Sequence, residues 1–399
     1  MPKAPRGERL ILTLTGRRNT GKSSLINALV GQDIAIVSDI PGTTTDPVPK
    51  SYELLPLGPV TFYDTAGIDD VGELGAKRVH RTRRILFRTD ISLLVVGNDG
   101  LHVEDRKLIE EIQQLKIPFI LVFNKIDLNQ PKQEDLNFAL KHRLSFCLVS
   151  AKDAIGIKEL KDILVDIAPH FLKEEKTIIG DLISPGYVVL LIAPIDTSAP
   201  KGRLILPQVQ VLREILDRDA VGMIVKEHEI EVTFERLSRV PDLVITDSQV
   251  VQKVAGEVPP EVRLTTFSIL FARYKGDLEE LVKGARKIDQ LQDGDRVLIA
   301  ETCSHNVQCD DIGRVKIPRW LSQYTGKQLD YKVVAGDDFP DDLEEYDLII
   351  HCGGCMINPA TMMRRIKEAT RRGVSITNYG IAISKVQGVL DRTLQPFEL

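Results

Sequence analysis

No apolar run in the chain is long enough to cross a bilayer, and the N-terminus lacks the apolar core of a secretory signal. These absences predict a cytoplasmic protein with no membrane partner. An excess of basic charge is missing too: 52 Lys and Arg stand against 57 Asp and Glu, a net charge of −5. No global bias therefore points to nucleic acid, and the local cluster Arg78, Arg81, Arg83 and Arg84 reads as a solvated helix face. Cysteine is scarce, with five in 399 residues. In a reducing compartment those thiols are available as ligands rather than tied up in disulfides. What the chain does have is length, and 399 residues exceed one ordinary core, so two or three domains are expected.

Three of the five cysteines stand at the ends of two apolar runs. His351-Cys352-Gly353-Gly354-Cys355 follows Tyr346–Ile350, and its two glycines let the backbone fold so that both sulfurs face one centre. Cys303-Ser304-His305 follows Arg296–Ala300. Strands expected at Val297–Ala300, Tyr331–Ala335, Leu348–His351 and Val374–Asn378 would put the thiols on loops at the C-terminal ends of a parallel sheet, where such sheets gather ligands. Cys303, Cys352 and Cys355 can converge there on one metal centre. His305, His351, Cys309 and Asp310 all compete for a fourth position. Cys303, Cys309, Cys352 and Cys355 could close a tetrahedral zinc site. An iron–sulfur cluster on three thiolates with an exchangeable fourth ligand is the competing reading. Thiol–disulfide chemistry at Cys352 and Cys355 is weaker, because such a pair usually opens a helix without a distant Cys-x-His partner. Cys147 lies within the apolar run Phe146–Val149 and reads as a packed core thiol.

The N-terminal part carries a second kind of chemistry. A strand over Leu10–Leu14 runs into Gly16-Arg17-Arg18-Asn19-Thr20-Gly21-Lys22-Ser23, followed by helical spacing from Ser24. This is a phosphate-binding loop, whose backbone N–H groups wrap phosphate oxygens at a helix N-terminus. Lys22 would meet the β/γ-phosphates and Ser23 a Mg²⁺ ion, with Gly16, Asn19, Thr20, Gly21 and Ser24 around the phosphates. Gly42–Asp46 lies where a switch segment should be, with Thr43 at the nucleotide and Thr44 joining Ser23 on Mg²⁺. Asp64 follows the strand Val60–Tyr63 and can hold Mg²⁺ through water, while the Gly67 N–H can touch the γ-phosphate. Asn124-Lys125-Ile126-Asp127 follows the strand Phe119–Phe123, and a carboxylate at Asp127 can accept from guanine N1 and N2. Adenine offers no such donor pair, so GTP and GDP are the expected ligands. Ser150-Ala151-Lys152 closes the base pocket. Lys22, Asn19, Thr44, Asp64 and Gly67 form the expected catalytic set.

The first domain is expected over residues 1–172, with Lys173–Lys176 as linker. A middle domain is expected over 178–264 and a third over 265–399, all α/β with mainly parallel sheets. The middle region reads as β/α alternation: a strand over Tyr187–Ala193, a helix over Leu206–Asp217, and strands over Val221–Val225 and Leu243–Asp247. It shows no nucleotide fingerprint and no clustered thiols. Asp196, His228 and Lys201-Gly202-Arg203 read as structural or surface features, which suits assembly better than catalysis.

The phosphate- and base-reading segments resemble the GTPase domain of the family that includes the bacterial tRNA-modification GTPase and its ribosome-assembly relatives. That resemblance implies a K⁺ ion beside Asn19 that stimulates hydrolysis. Ile68 stands where Ras-like proteins place a catalytic glutamine, so another group must orient water; Glu73 is a nearby carboxylate. The GTPase domain, the assembly domain and the pattern Cys303-x-His305…His351-Cys352-x-x-Cys355 together resemble the GTPase maturases of [FeFe]-hydrogenases. The resemblance implies a [4Fe–4S] cluster on Cys303, Cys352 and Cys355, with His305 or His351 as candidates for a labile fourth site. It also implies a homodimer through the middle domain. As cargo it implies a diiron H-cluster precursor made by two radical-SAM maturases and delivered to the [FeFe]-hydrogenase apoprotein. The rival is a ribosome- or tRNA-directed GTPase with a structural zinc. That protein would want a basic, aromatic C-terminal surface, whereas Asp337, Asp338, Asp341, Asp342, Glu344 and Glu345 make this one acidic.

Overall fold

The structure is a computed structural model that describes residues 9–31, 50–55, 57–64, 85–168, 177–194, 204–302, 311–336, 339–340, 342–354 and 357–397. The chain divides into two compact units, Met1–Glu175 and Lys176–Leu399.

The first unit holds a six-stranded sheet built from β1 (Leu10–Thr15), β2 (Lys50–Leu54), β3 (Gly58–Asp64), β4 (Ile91–Val96), β5 (Phe119–Asn124) and β6 (Phe146–Val149). Its order is β2-β3-β1-β4-β5-β6, parallel except for the edge strand β2. All six residues of β4 are buried, as expected of a central strand covered on both faces. The helices of this unit are α1 (Lys22–Val30), α2 (Val103–Gln114), α3 (Gln133–Lys141) and α4 (Ile157–Ile167). α1 stops at Gly31, whose left-handed backbone returns its N–H to Asn27 O at 2.8 Å.

The second unit contains two four-stranded parallel sheets. One is made of β7 (Val188–Ile192), β8 (Val221–Val225), β9 (Leu243–Thr246) and β10 (Arg263–Thr266), in the order β10-β9-β7-β8. The other is made of β11 (Arg296–Ala300), β12 (Asp330–Val334), β13 (Leu348–His351) and β14 (Ser375–Asn378), in the order β12-β11-β13-β14. Both sheets thus run second, first, third, fourth. Each reverses its winding between the first and third strands, which opens a crevice at their C-terminal ends. The helices are α5 (Leu206–Asp217), α6 (Ile230–Arg236), α7 (Val251–Glu257), α8 (Phe267–Lys275), α9 (Leu278–Arg286), α10 (Ile317–Thr325), α11 (Pro359–Arg371), α12 (Tyr379–Val386) and α13 (Leu390–Leu394).

The domain boundary expected at 264–265 falls inside β10, whose residues pair with β9, so the middle sheet extends to Thr266. The next helix, α8, then serves two cores. Phe267, Leu270 and Phe271 pack into the core of the middle sheet. Ile269 and Ala272 pack into the core of the last sheet, among Leu298, Ile349 and Ile366.

Candidate functional site

In the first unit, the loop between β1 and α1 is shaped by close approach. Gly16 has φ +135°, and a Cβ there would meet Val95 O at 2.3 Å. A Cβ on Gly21, at φ +89°, would meet Asn124 Nδ2 at 2.3 Å. Both glycines are therefore required by space as well as by backbone angle. Lys22 Nζ donates to Gly16 O at 3.0 Å and Arg17 O at 2.6 Å, so the lysine lies across the loop mouth. Ser23 Oγ donates to Asp64 Oδ2 at 2.6 Å, which brings together the two groups expected near Mg²⁺. Asn19 is exposed with φ +55°, and Ser24 is half-buried in the first turn of α1.

The base-reading segments meet the same loop. Asn124 Nδ2 donates to Thr20 O at 2.9 Å, and its Oδ1 accepts from Ala151 N at 3.1 Å. Ser150 Oγ donates to Asp127 Oδ1 at 2.7 Å and orients a carboxylate that is otherwise exposed. Lys125 has φ +67°, and Lys152 is exposed. The structure thus brings Gly16, Thr20, Gly21, Lys22, Ser23, Asp64, Asn124, Asp127, Ser150 and Ala151 into one hydrogen-bonded neighbourhood. Thr43, Thr44, Gly67, Ile68 and Glu73 lie outside the described residues.

Sequence reasoning passed over Arg17. Its guanidinium donates to Asp99 Oδ2 at 2.6 Å, Gly100 O at 2.8 Å and Asp105 Oδ2 at 3.0 Å, which ties the phosphate loop to the start of α2. The hydrogen bond from Arg17 holds Asp99 below the usual carboxylate range, whereas burial pulls Asp105 up despite the same partner. Cys147 is the core thiol expected: burial pushes it up to about 11.

In the second unit, His351 ends β13 beside Ala300 at the end of β11, at the point where the winding reverses. Cys352 N donates to Ala300 O at 2.8 Å, which extends the ladder by one residue and fixes the sulfur at the crevice. Thr302 N and Thr302 Oγ1 lie 3.3 and 3.2 Å from Cys352 Sγ. Gly354 turns with φ +63°, and Asn358 caps α11 by accepting from Thr361 N at 3.0 Å. The loop is gripped from α8: Lys275, buried, donates from Nζ to Gly354 O at 3.0 Å and Ile357 O at 3.1 Å. Nothing in the sequence pattern singles this lysine out.

His351 is fully buried. Arg365 NH1 on α11 lies 2.8 Å from its Nε2, and an arginine can only donate, so Nε2 accepts. Nδ1 therefore carries the proton and donates to Cys352 O at 2.6 Å. Burial, with the Arg365 charge second, holds the imidazole down at about 3. Both ring nitrogens are engaged, and ligation by Nε2 would require Arg365 to leave.

A polar cluster borders Cys352. The buried Glu301 accepts from Arg314 Nε at 3.2 Å and NH2 at 2.9 Å, and from Tyr379 Oη at 3.4 Å. Burial, then the negative charges of Cys352, Glu301 and Asp311, push the Tyr379 phenol well up.

Cys303, His305, Cys309, Asp310 and Cys355 lie outside the described residues. Among the described residues no three metal-ligating side chains gather. The one described cysteine of the set, Cys352, fits a metal-bound thiolate. Cys352 is half-buried, and its sulfur faces two donors from Thr302. No helix among the described residues is long and apolar enough to cross a membrane.

Comparison with known proteins matches three successive regions. Residues 11–125 match the family model of a 50S ribosome-binding GTPase. Residues 178–276 match the Hydrogen maturase F dimerization domain, and residues 279–396 match the Hydrogen maturase F tetramerization domain. GTPase Der of Kosmotoga olearia is 34% identical over 191 residues, 44% of this chain and 43% of its own length. The tRNA modification GTPase MnmE of Carboxydothermus hydrogenoformans is 39% identical over 163 residues, 40% of this chain and 35% of its own length. The chain thus spans well under half the length of these curated relatives. Among solved structures, Era of Aquifex aeolicus bound to GDP and aluminium fluoride aligns with TM-score 0.37 and 22% identity, covering 55% of this chain and 93% of Era.

Proposed function

The chain belongs to the hydrogen maturase F family, and from that premise we propose that it is a GTP-hydrolysing scaffold that carries a diiron H-cluster precursor to [FeFe]-hydrogenase. The observation that carries the proposal is the succession of a GTPase region and two regions specific to the maturase family in one chain.

In the nucleotide site, the loop amides and Lys22 bind the β/γ-phosphates of GTP, and Ser23 and Thr44 hold Mg²⁺. Asp64 meets the ion through water, and Gly67 meets the γ-phosphate. Asp127, steered by Ser150, selects guanine. Asn19 is the proposed K⁺ neighbour; hydrolysis should be faster in K⁺ than in Na⁺, and equal rates in the two salts would remove it.

In the second unit, Cys303, Cys352 and Cys355 would hold a [4Fe–4S] cluster. Such a group supplies an iron whose fourth ligand can be replaced by an incoming cargo group. The chain's own part is to fix the thiols. Lys275 holds the carbonyls on either side of Cys355, and Ala300 and Thr302 hold Cys352. His305 and His351 remain the candidates for the fourth position, with His351 available only if Arg365 moves.

Self-association follows from the matched dimerization and tetramerization domains, and a homodimer is proposed through the middle sheet. Strand β8 forms an edge of that sheet and exposes Val221 and Ile224, while Val209 and Leu216 are exposed on α5. An apolar edge of this kind is a template for pairing with another chain. The other edge, β10, is packed by α13. The apo-hydrogenase and two radical-SAM maturases are the proposed further partners.

The test is anaerobic purification followed by iron, sulfide and zinc analysis and an assay of hydrogenase activation. Single Cys→Ser changes at 303, 352 and 355 should lose iron, while Cys309→Ser should keep it. A wild-type protein carrying zinc without sulfide would overturn the reading.

A further inference from the structure

We propose that Thr302 is a positioning residue that sets the electron affinity of the metal centre through Cys352, an inference that rests on the cluster reading above. Thr302 is buried two residues beyond the end of β11, and it offers Cys352 Sγ two donors, its N–H at 3.3 Å and its hydroxyl at 3.2 Å. A free thiol and a hydroxyl can each donate to the other. Once the sulfur is bound to a metal it has no proton, and only the hydroxyl can donate. Metal binding therefore fixes the direction of this hydrogen bond.

The backbone that carries the sulfur is held in register with the end of β11. Ala300 pairs with His351 in the β11–β13 ladder, and Cys352 N continues the ladder to Ala300 O at 2.8 Å. The backbone on both sides is thus held in register, and Thr302 follows two residues after Ala300. The adjacent carboxylate of Glu301 is paired with Arg314, so its charge is already met. Among the described residues, the neutral donors of Thr302 are the groups that hydrogen-bond the sulfur.

A donor to a ligating sulfur withdraws electron density from the centre. The reduced centre carries one more negative charge and holds the bond more strongly than the oxidised one. The hydroxyl therefore favours reduction, and its removal should make the midpoint potential more negative.

Thr302→Val keeps the shape and the N–H and removes only the hydroxyl, whereas Thr302→Ser keeps the hydroxyl. Full-length protein is reconstituted anaerobically, its iron and sulfide are counted, and its midpoint potential is read by EPR-monitored titration. The expected result is a full complement of iron in both variants, a negative shift in Thr302→Val and the wild-type potential in Thr302→Ser. An unshifted Thr302→Val, or a Thr302→Ser shifted as far as the valine variant, overturns the inference. If Thr302→Val takes up no iron, the serine variant decides. Full iron at wild-type potential upholds the hydroxyl's role, and an equally empty protein overturns it. A wild-type protein without an iron–sulfur cluster removes the underlying reading and this inference with it. That outcome is distinct from a normal cluster whose potential ignores residue 302.

Discussion

Replacing Lys275 by Met should loosen the thiol-bearing loop while leaving the nucleotide site untouched. Methionine fills most of the space of the lysine stem and introduces no buried charge. It removes the donor to Gly354 O and Ile357 O, which lie 3.0 and 3.1 Å from Nζ. Both residues are buried, so water does not readily replace the lost donor. A buried acceptor stripped of its partner costs about 1–3 kcal/mol. Gly354 O keeps a second donor, Ile357 N at 3.3 Å, so its share falls at the low end. Relief from burying an ammonium group offsets part of the total. The net loss should be about 2–3 kcal/mol. For a unit of this size, that lowers Tm by roughly 4–12 °C. Calorimetry in saturating GTP separates the transition of the second unit from that of the first. Iron uptake after anaerobic reconstitution should fall in parallel, because Cys355 lies between the two released carbonyls. GTP hydrolysis should be unchanged. A variant with Tm within about 1 °C of wild type and normal iron content would refute the reasoning.

Asp127→Asn should weaken GTP binding by roughly 10- to 150-fold, the value of one hydrogen bond to a charged acceptor. The same change should raise affinity for a xanthine nucleotide, whose C2 carbonyl can accept from the new amide; nucleotide titrations check both. Lys22→Ala should abolish hydrolysis and leave iron content intact, since the two sites lie in different compact units; loss of iron would contradict that independence. Cys147 holds its proton up to about 11, so at pH 8 about one part in a thousand is thiolate. In iron-free protein, mass spectrometry after brief alkylation at pH 8 should find Cys352 labelled and Cys147 intact, and early labelling of Cys147 would show that its strand opens readily.

The nucleotide site was legible because its chemistry is contiguous. Gly16 to Ser23, Asn124 to Asp127 and Ser150 to Lys152 are short runs whose order alone identifies them. Strand ends were legible for a related reason. Apolar runs stop where the sheet stops, so the position of Cys352 at the end of β13 followed from Tyr346–Ile350. What joins these pieces was not legible. Arg17 meets Asp105 across 88 positions and Lys275 meets Gly354 across 79, and no periodicity encodes such distances. His351 stands in the sequence as a candidate fourth ligand beside two thiols, but Arg365 occupies its Nε2 from a helix that sequence reasoning did not place. The strands β2 and β4 were also missed. The first is an edge strand with a mixed pattern, and the second follows no motif that would call attention to it.

Helix α8 can be considered as a lever. Nine residues span about 13 Å. Its early residues are set in the core of the middle sheet, and its last residue holds the thiol loop by two hydrogen bonds. A tilt of about 5° about the first turn displaces Lys275 by about 1 Å, enough to carry a 3 Å hydrogen bond outside its working range. A displacement of α8 would therefore be registered at Gly354 and Ile357, where Lys275 holds the loop.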